Sequence, residues 1–155
     1  MRKTKNQPTL LILTAIIVAL LSACELETSD CGRIGGFWQL HTIESFGIDS
    51  TEPSSSSDMR NLGVAWSFQG TMMQVQCFMV IDFYYLSFED RGDSLHLFNP
   101  YRADHDQGID VPITNADTLR LMGIPDINTT FAIRQLNSST MVLQNDTLRL
   151  HFRKY

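Results

Sequence analysis

The feature that most constrains this chain is an alternation of apolar and polar residues with a period of two. In the segment VAWSFQGTMMQVQ (64–76), a large apolar residue recurs at every second position on both sides of Gln69-Gly70. Near the end of the sequence, Leu148, Leu150 and Phe152 alternate with charged residues in the same way. This period is that of a β-strand with one buried face. The chain is therefore predicted to be built from half-buried strands.

Turn residues divide the sequence into strands of this kind. Single strands are predicted at 35–43, 130–136, 140–144 and 147–154, and hairpins at 64–76 and 84–98 with turns at 69–70 and 89–93. Short strands at regular spacing are typical of a barrel or a sandwich. The predicted fold class is all-β, with about eight antiparallel strands in up-and-down order. The predicted inward-facing residues are Trp38, Trp66, Phe68, Met73, Val75, Phe88, Phe131 and Met141.

Two segments depart from this pattern. TNADTLRLMGIP (114–125) has a capping residue and an early acid, and it ends with Gly123 and Pro125. These signals favour one short helix near 115–122, with a strand at 118–122 as the alternative. DSTEPSSSSD (49–58) is polar and rich in serine, which indicates a flexible loop.

The N-terminus resembles a secretory signal. Arg2, Lys3 and Lys5 precede a short apolar run at 10–21, which is shorter than the roughly 20 residues that span a bilayer. The residues LSAC (21–24) then resemble the lipobox of bacterial lipoproteins. This resemblance implies a signal peptide at 1–23 and an acylated Cys24. The residues after it predict an acidic tether at 24–30, and the length of the remainder predicts one domain at 31–155. The alternative is an uncleaved anchor helix.

Charge excludes several classes of partner. Loss of three cations with the signal leaves nine Lys and Arg residues against seventeen acids, a formal net charge of −8. An acidic body with scattered arginines does not suit nucleic acid or anionic lipid headgroups.

Cysteines are few, and their predicted pairing follows from the compartment. With Cys24 acylated, Cys31 and Cys77 remain, an even number in an oxidising compartment. A Cys31–Cys77 disulfide is the expected pairing, and two unpaired thiols are the alternative.

A family resemblance appears in two places. Gly36-x-Trp38 resembles the Gly-x-Trp of lipocalins, and FAIRQLNSSTMVLQNDTLRLHFRKY (131–155) is similar to the ending of lipocalin-like lipoproteins of gut-dwelling Gram-negative bacteria. The resemblance implies a lipocalin-like barrel in the cell envelope, anchored to the outer membrane, but it implies no activity. Glu25, Glu27 and Asp30 partly resemble a signal for display on the outer face.

Candidate site residues are few, and no catalytic, cofactor-binding or metal-binding residue is predicted. Trp38, Trp66, Phe68 and Asp82 are candidates for lining a ligand cavity, although a tryptophan at position 38 is also typical of barrel core. Asp82 interrupts the apolar run CFMVIDFYYLSF (77–88), so it either lies inside a cavity or marks a corner between strands. The acidic loop at 104–110 lacks the ligand spacing of a calcium loop.

Three functions remain open at this point. The first is a non-enzymatic, lipid-anchored envelope protein that binds a small apolar ligand or a protein partner. The second is an envelope enzyme with a carboxylate site in the barrel mouth, at Asp82 or the 104–110 loop. The third is a purely structural lipoprotein.

Overall fold

The structure is a computed structural model, and it describes residues 31–104 and 108–155. The predicted signal peptide, the acylated Cys24 and the acidic tether lie outside the described residues. The centre of the acidic loop, at 105–107, lies outside them as well.

The described part of the chain is almost entirely β-structure, with ten strands. The strands are β1 (Gly36–Phe46), β2 (Pro53–Asp58), β3 (Ala65–Gln69), β4 (Met72–Cys77), β5 (Val80–Asp90), β6 (Ser94–Asp104), β7 (Ile109–Pro112), β8 (Thr129–Leu136), β9 (Thr140–Gln144) and β10 (Leu148–Lys154). One turn of α-helix, α1, spans Asp117–Arg120, and 3-10 turns span Gly32–Ile34 and Arg60–Leu62.

Eight of these strands close into a barrel. The strands β1, β3, β4, β5, β6, β8, β9 and β10 pair antiparallel in that order, and β10 pairs back onto β1. The closing register runs from Trp38 opposite Lys154 to Ser45 opposite Leu148. Chain order and spatial order agree around the barrel, so the predicted all-β, up-and-down architecture is confirmed.

The two remaining strands extend individual barrel strands. β2 pairs with Thr42–Phe46 of β1, and β7 pairs with Tyr101–Asp104 of β6. The prediction of a flexible loop at 49–58 is therefore wrong over β2. All six residues of β2 are exposed, so the strand depends on main-chain pairing and has no buried face that could produce an alternating pattern.

The barrel has a closed end, next to the 3-10 turn Gly32–Ile34. There the indole Nε1 of Trp38 donates to the carbonyl oxygen of Ile34 at 2.8 Å. The Lys154 ammonium lies 5.0 Å from the centroid of the same ring. These contacts satisfy the polar atom of a fully buried tryptophan, and they support the structural interpretation of Trp38.

The opposite end, the mouth, is covered by residues 116–124, which we call the plug. The predicted helix is confirmed in position but is only one turn long, because Gly123 at φ +86° and then Pro125 end it. Ala116, Leu119, Met122 and Ile124 of the plug are buried. No helix in the described ranges is both long and apolar enough to span a bilayer.

Side chains fill the space between the closed end and the plug. The eight residues predicted to face inward are all buried, which confirms that prediction. Trp66 lies at the centre, with ring centroids 4.8 Å from Phe152 and 6.2 Å from Phe131. Its indole Nε1 donates to the carbonyl oxygen of Met122 at 3.0 Å and so ties the core to the plug.

The predicted Cys31–Cys77 disulfide does not form in this structure. The Cys31 thiol donates to the carbonyl oxygen of Gly70, and the Cys77 thiol donates to that of Leu62, each at 3.3 Å. Gly70 and Cys77 lie at opposite ends of β4, which at about 3.4 Å per residue is a separation of roughly 20 Å. A disulfide requires Cα atoms within about 7 Å of each other. The fold therefore holds the two sulfurs apart.

Candidate functional site

The four predicted cavity residues do not form one site. Trp38 and Trp66 face each other across β1 and β3, and Trp66 contacts Phe68 edge to face at 6.4 Å. All three are buried in the core. The structure brings these three aromatic residues together as packing, and it places Asp82 elsewhere.

Asp82 lies on the rim of the mouth, within β5. The turn before it is formed by Phe78 and Met79, with Cys77 opposite Val80, so the predicted corner at Asp82 is wrong. Its carboxylate accepts a hydrogen bond from the Arg102 guanidinium at 3.2 Å, and its side chain is 43% exposed. An ion pair as exposed as this contributes about 0–1 kcal/mol to stability.

Polar groups continue from Asp82 into a shallow groove of about 340 Å³ at the mouth. The Tyr84 hydroxyl lies in this groove, where burial and the charge of Asp82 raise its pKa while a hydrogen bond with Thr118 opposes them. A second carboxylate, Asp104, lies 3.8 Å from Arg102. The groove is lined by Asp82, Tyr84, Arg102, Val111, Ile113, Asn115 and Thr118.

The described ranges contain no group of three His, Cys, Asp or Glu side chains placed to hold a metal ion. The histidines His41, His96 and His151 are half-buried on the outer wall. Nε2 of His151 lies 3.3 Å from the Glu44 carboxylate, which also pairs with Arg149 at 3.1 Å. Burial, followed by the charges of Arg153 and Arg60, lowers the pKa of His41.

A second and larger concavity, which we call the outer groove, opens on the outside of the barrel. It lies where β6 changes partners, because Ser94–Leu97 pairs with β8 and Tyr101–Asp104 pairs with β7. Its volume is about 530 Å³, within the range of small-molecule sites. It is lined by Phe98, Asn99, Pro100, Tyr101, Asp110, Pro112, Ile113, Ile127 and Asn128.

A β-bulge in β6 gives the outer groove its shape. Between Tyr85 opposite Tyr101 and Ser87 opposite Phe98, β6 has one residue more than β5. Asn99 adopts φ +51° there, a conformation that asparagine tolerates better than most residues. Bulges of this kind redirect side chains and are frequent beside functional sites.

Neighbouring rings hold the aromatic walls of the outer groove in place. Tyr101 stacks on Tyr85 with centroids 5.3 Å apart and an interplanar angle of 16°. Phe98 stacks on His96 at 5.1 Å and 28°. Both walls are therefore positioned before any ligand arrives.

One side of the outer groove, near Tyr101, carries a negative charge. Burial raises the pKa of the Tyr101 hydroxyl, and the negative charge of Asp110 acts in the same direction. None of the ion pairs within the described ranges involves Asp110. The groove thus combines apolar and aromatic walls with a carboxylate.

Sequence reasoning missed the outer groove. Its signal is the segment FNPY (98–101), in which Asn99-Pro100 interrupts a run of strand-forming residues. Proline inside a strand pattern marks an edge or a bulge. The groove also needs the β7 pairing, which no hydrophobic alternation indicates.

An apolar hairpin turn projects at the mouth. Phe78 and Met79 of the turn and Ile81 at the start of β5, which we call the apolar tip, are 80%, 75% and 96% exposed. Clustered exposed apolar side chains often mark an interaction surface.

Comparisons with known proteins identify one family and two similar solved structures. A family model described as a lipocalin-like domain matches residues 19–155. The chain is similar to a lipocalin-like protein from Bacteroides uniformis ATCC 8492, with a TM-score of 0.55 and 19% identity over 80% of this chain and 100% of that one. An uncharacterized protein from Bacteroides eggerthii DSM 20697 gives a TM-score of 0.49 and 16% identity over 78% and 98%.

No curated protein matches the chain. The likeness to solved structures, at this level of identity, concerns the fold alone. The family match covers most of the sequence and includes every strand of the barrel. The chain belongs to the lipocalin-like domain family.

Proposed function

We propose that this protein is a non-enzymatic, lipid-anchored cell-envelope protein that binds a small apolar ligand in its outer groove. Lipocalin-like folds commonly bind small hydrophobic ligands, and in a barrel of eight strands the interior is either filled by side chains or holds one small ligand. Here Trp66 and its neighbours occupy the centre and the plug covers the mouth. This filled interior is the observation that moves the proposed site to the outer wall.

The proposed anchor rests on the sequence and on where the barrel begins. The residues LSAC (21–24) support cleavage before Cys24 and acylation there, with an outer-membrane location and display on the outer face as the proposed address. Cys31 lies at the closed end, beside Gly70. Seven residues of tether reach at most about 25 Å. An anchored barrel would therefore have its closed end towards the bilayer and its mouth away from it.

Acylation can be tested separately from ligand binding. Cells expressing the full chain are grown with radiolabelled palmitate, beside cells expressing Cys24→Ala and cells expressing Cys31→Ala as a matched cysteine control. We expect label in the unaltered chain and in Cys31→Ala but none in Cys24→Ala. Equal labelling of all three chains would contradict an anchor at Cys24.

Native mass spectrometry tests the ligand. Residues 25–155 are secreted to the periplasm and analysed intact, together with Tyr101→Ala and with Tyr155→Ala, which removes an exposed tyrosine beside Phe37 near the closed end. We expect a small-molecule adduct on the unaltered protein and on Tyr155→Ala, and its loss from Tyr101→Ala. An adduct that survives Tyr101→Ala would place the ligand outside the groove. A protein without any adduct would favour a protein partner.

The apolar tip supports the protein-partner form of the proposal. Its three apolar side chains are exposed at the mouth, which would face away from the bilayer in the anchored orientation. A photo-crosslinker at position 79 should give one discrete adduct in cells, and Ile81→Ser should abolish it. A diffuse set of adducts that Ile81→Ser leaves unchanged would contradict docking at the tip.

The other two functions gain less support. An enzyme at the mouth would need a carboxylate poised against a substrate cavity, whereas the Asp82 carboxylate is half-exposed and bonded to Arg102. A purely structural lipoprotein would have no use for a preformed groove with stacked aromatic walls.

A further inference from the structure

We infer that the outer groove takes a ligand with a substituted ammonium head on an apolar body. This inference rests on the proposed function, because it concerns the same groove. It adds the charge of the ligand and the residues that recognise this charge. The recognition elements are the stacked Tyr101 ring, the Phe98 ring and the carboxylate of Asp110.

Aromatic faces are the first element. An ammonium group within about 6 Å of an aromatic ring is attracted by the negative face of the ring, and the attraction grows when the cation loses water. Tyr101 has one face stacked on Tyr85 and Phe98 has one face stacked on His96, while both rings line the groove. Fixed rings bind without the entropy cost of ordering them.

Charge is the second element. Asp110 lies on β7 opposite Ala103, close enough to Tyr101 for its charge to act on that hydroxyl. The arginine that follows Tyr101, Arg102, pairs with Asp82 and Asp104 instead. Asp110 therefore presents a negative charge to the groove, and the excess of acids over Lys and Arg in the chain has the same sign.

Other ligand chemistries fit the outer groove less well. An anion would meet the Asp110 carboxylate and a negatively charged body. A purely apolar ligand would desolvate that carboxylate without compensation, which is unfavourable. Asn99 and Asn128 could bond to a sugar, but several of its hydroxyls would still face apolar side chains such as that of Ile113, which offer no hydrogen bonds. A cation with an apolar body uses the carboxylate, the rings and the aliphatic lining together.

The size and lining of the groove indicate where the apolar body lies. A trimethylammonium head fills only part of about 530 Å³. The aliphatic residues Pro112, Ile113 and Ile127 extend the lining beyond the two rings. A hydrocarbon chain on the head should therefore increase the affinity, because each buried methylene group adds to the hydrophobic stabilisation.

Choline and its neutral carbon isostere, 3,3-dimethylbutan-1-ol, form the decisive pair of probes, since they differ in charge and hardly in shape. Residues 25–155 are titrated with each probe by NMR. We expect choline to bind at least fivefold more tightly than the isostere, with shifts concentrated at Phe98, Tyr101 and Ile127. Hexyltrimethylammonium should bind more tightly than choline.

Two variants in the groove and one control variant outside it assign the charge preference to particular residues. Asp110→Asn should remove most of the preference for choline over the isostere. Asp146→Asn changes an exposed aspartate in the turn between β9 and β10 and should retain the preference. Tyr101→Leu should weaken both trimethylammonium probes. Equal affinities for choline and the isostere in the unaltered protein would overturn the inference, and so would tighter binding of the neutral disaccharide maltose.

The experiment also separates this inference from the proposed function. A neutral adduct in native mass spectra that depends on Tyr101, together with no preference for choline, would leave the groove as the ligand site and would refute the cationic head. If neither choline nor hexyltrimethylammonium shifts any groove resonance at 20 mM or so, the inference fails whatever the mass spectra show.

Discussion

Replacement of Leu119 by alanine tests whether the plug is part of the barrel core. Leu119 is completely buried, whereas Leu121, two residues later, is 62% exposed. Leu119→Ala deletes three carbon atoms from the core at about 0.8 kcal/mol each, and a cavity contribution adds to this loss. We expect a decrease of about 3 kcal/mol in the free energy of unfolding. Leu121→Ala should cost about 0.5 kcal/mol or less, because its side chain already contacts water.

The backbone of the plug should survive this change. The carbonyl oxygen of Leu119 accepts hydrogen bonds from the amides of Met122 and Ile124 at 2.9 and 3.1 Å, and an alanine retains both. Any loss of stability therefore reports the side chain. Tryptophan fluorescence during urea denaturation is a suitable assay, because Trp38 and Trp66, the two tryptophans of the chain, are both fully buried.

The comparison of the two leucines has a clear contrary outcome. A loss of about 3 kcal/mol corresponds to a decrease of roughly 10 °C in Tm for a domain of this size. If Leu119→Ala and Leu121→Ala unfold at the same urea concentration as the unaltered protein, the plug does not pack in the mouth. The argument for a filled barrel would then lose its support at that end.

Three further predictions concern the backbone and charged groups. Gly123→Ala should lower the free energy of unfolding by about 2 kcal/mol in urea titrations, because φ is +86° there and the added Cβ would lie 3.2 Å from Leu150. Hydrogen bonds from Arg60 lower the pKa of Asp58 to about 2. In Arg60→Met, NMR titration should show the pKa of Asp58 returning partly towards 3.8. The return is only partial because the hydrogen bond from the backbone amide of residue 60 remains. The lowered pKa of His41 means that the folded protein binds a proton less readily than the unfolded chain, so stability decreases as the pH falls below about 6.5. His41→Gln should reduce this acid sensitivity in urea titrations between pH 7 and pH 5.

The barrel was predictable because its strands have one buried and one exposed face. Residues such as Trp66 and Phe68 lie on the inward positions of β3, and the alternation of the sequence identifies that face directly. The turns at Gly70 and Gly92, which both have positive φ, were equally visible. Local pattern and global fold agree at these positions.

Three features could not be predicted from the sequence: β2, the separation of the two cysteines and the outer groove. All three depend on pairing between segments that are distant in the sequence. β2 has no buried residue and exists because β1 continues beyond its pairing with β3. The separation of Cys31 from Cys77 follows from the length of β4. An even number of cysteines in an oxidising compartment does not reveal this separation. The outer groove likewise needs two strands, β7 and β8, to pair with different parts of β6.

Asp82 was difficult for a different reason. A single carboxylate in an apolar run has the same local signature at a buried site, at a corner and on a rim. Its partner Arg102 is supplied by β6, across a hairpin whose register includes a bulge. Only the register of β5 against β6 determines which cationic side chain pairs with the Asp82 carboxylate.

The seam between β1 and β10 also determines the order in which the molecule can fold. The first barrel strand is hydrogen-bonded to β10, the strand that comes last in sequence. From β3 to β9, each barrel strand pairs with the next barrel strand in the sequence, and the longest connection is the one from β6 to β8. The seam, in contrast, must close a loop of more than a hundred residues. Until β10 arrives, β1 presents an unpaired edge beside a core that is open to water. A chain that is still being synthesised therefore remains an open sheet, and the barrel can close only after β10 is available.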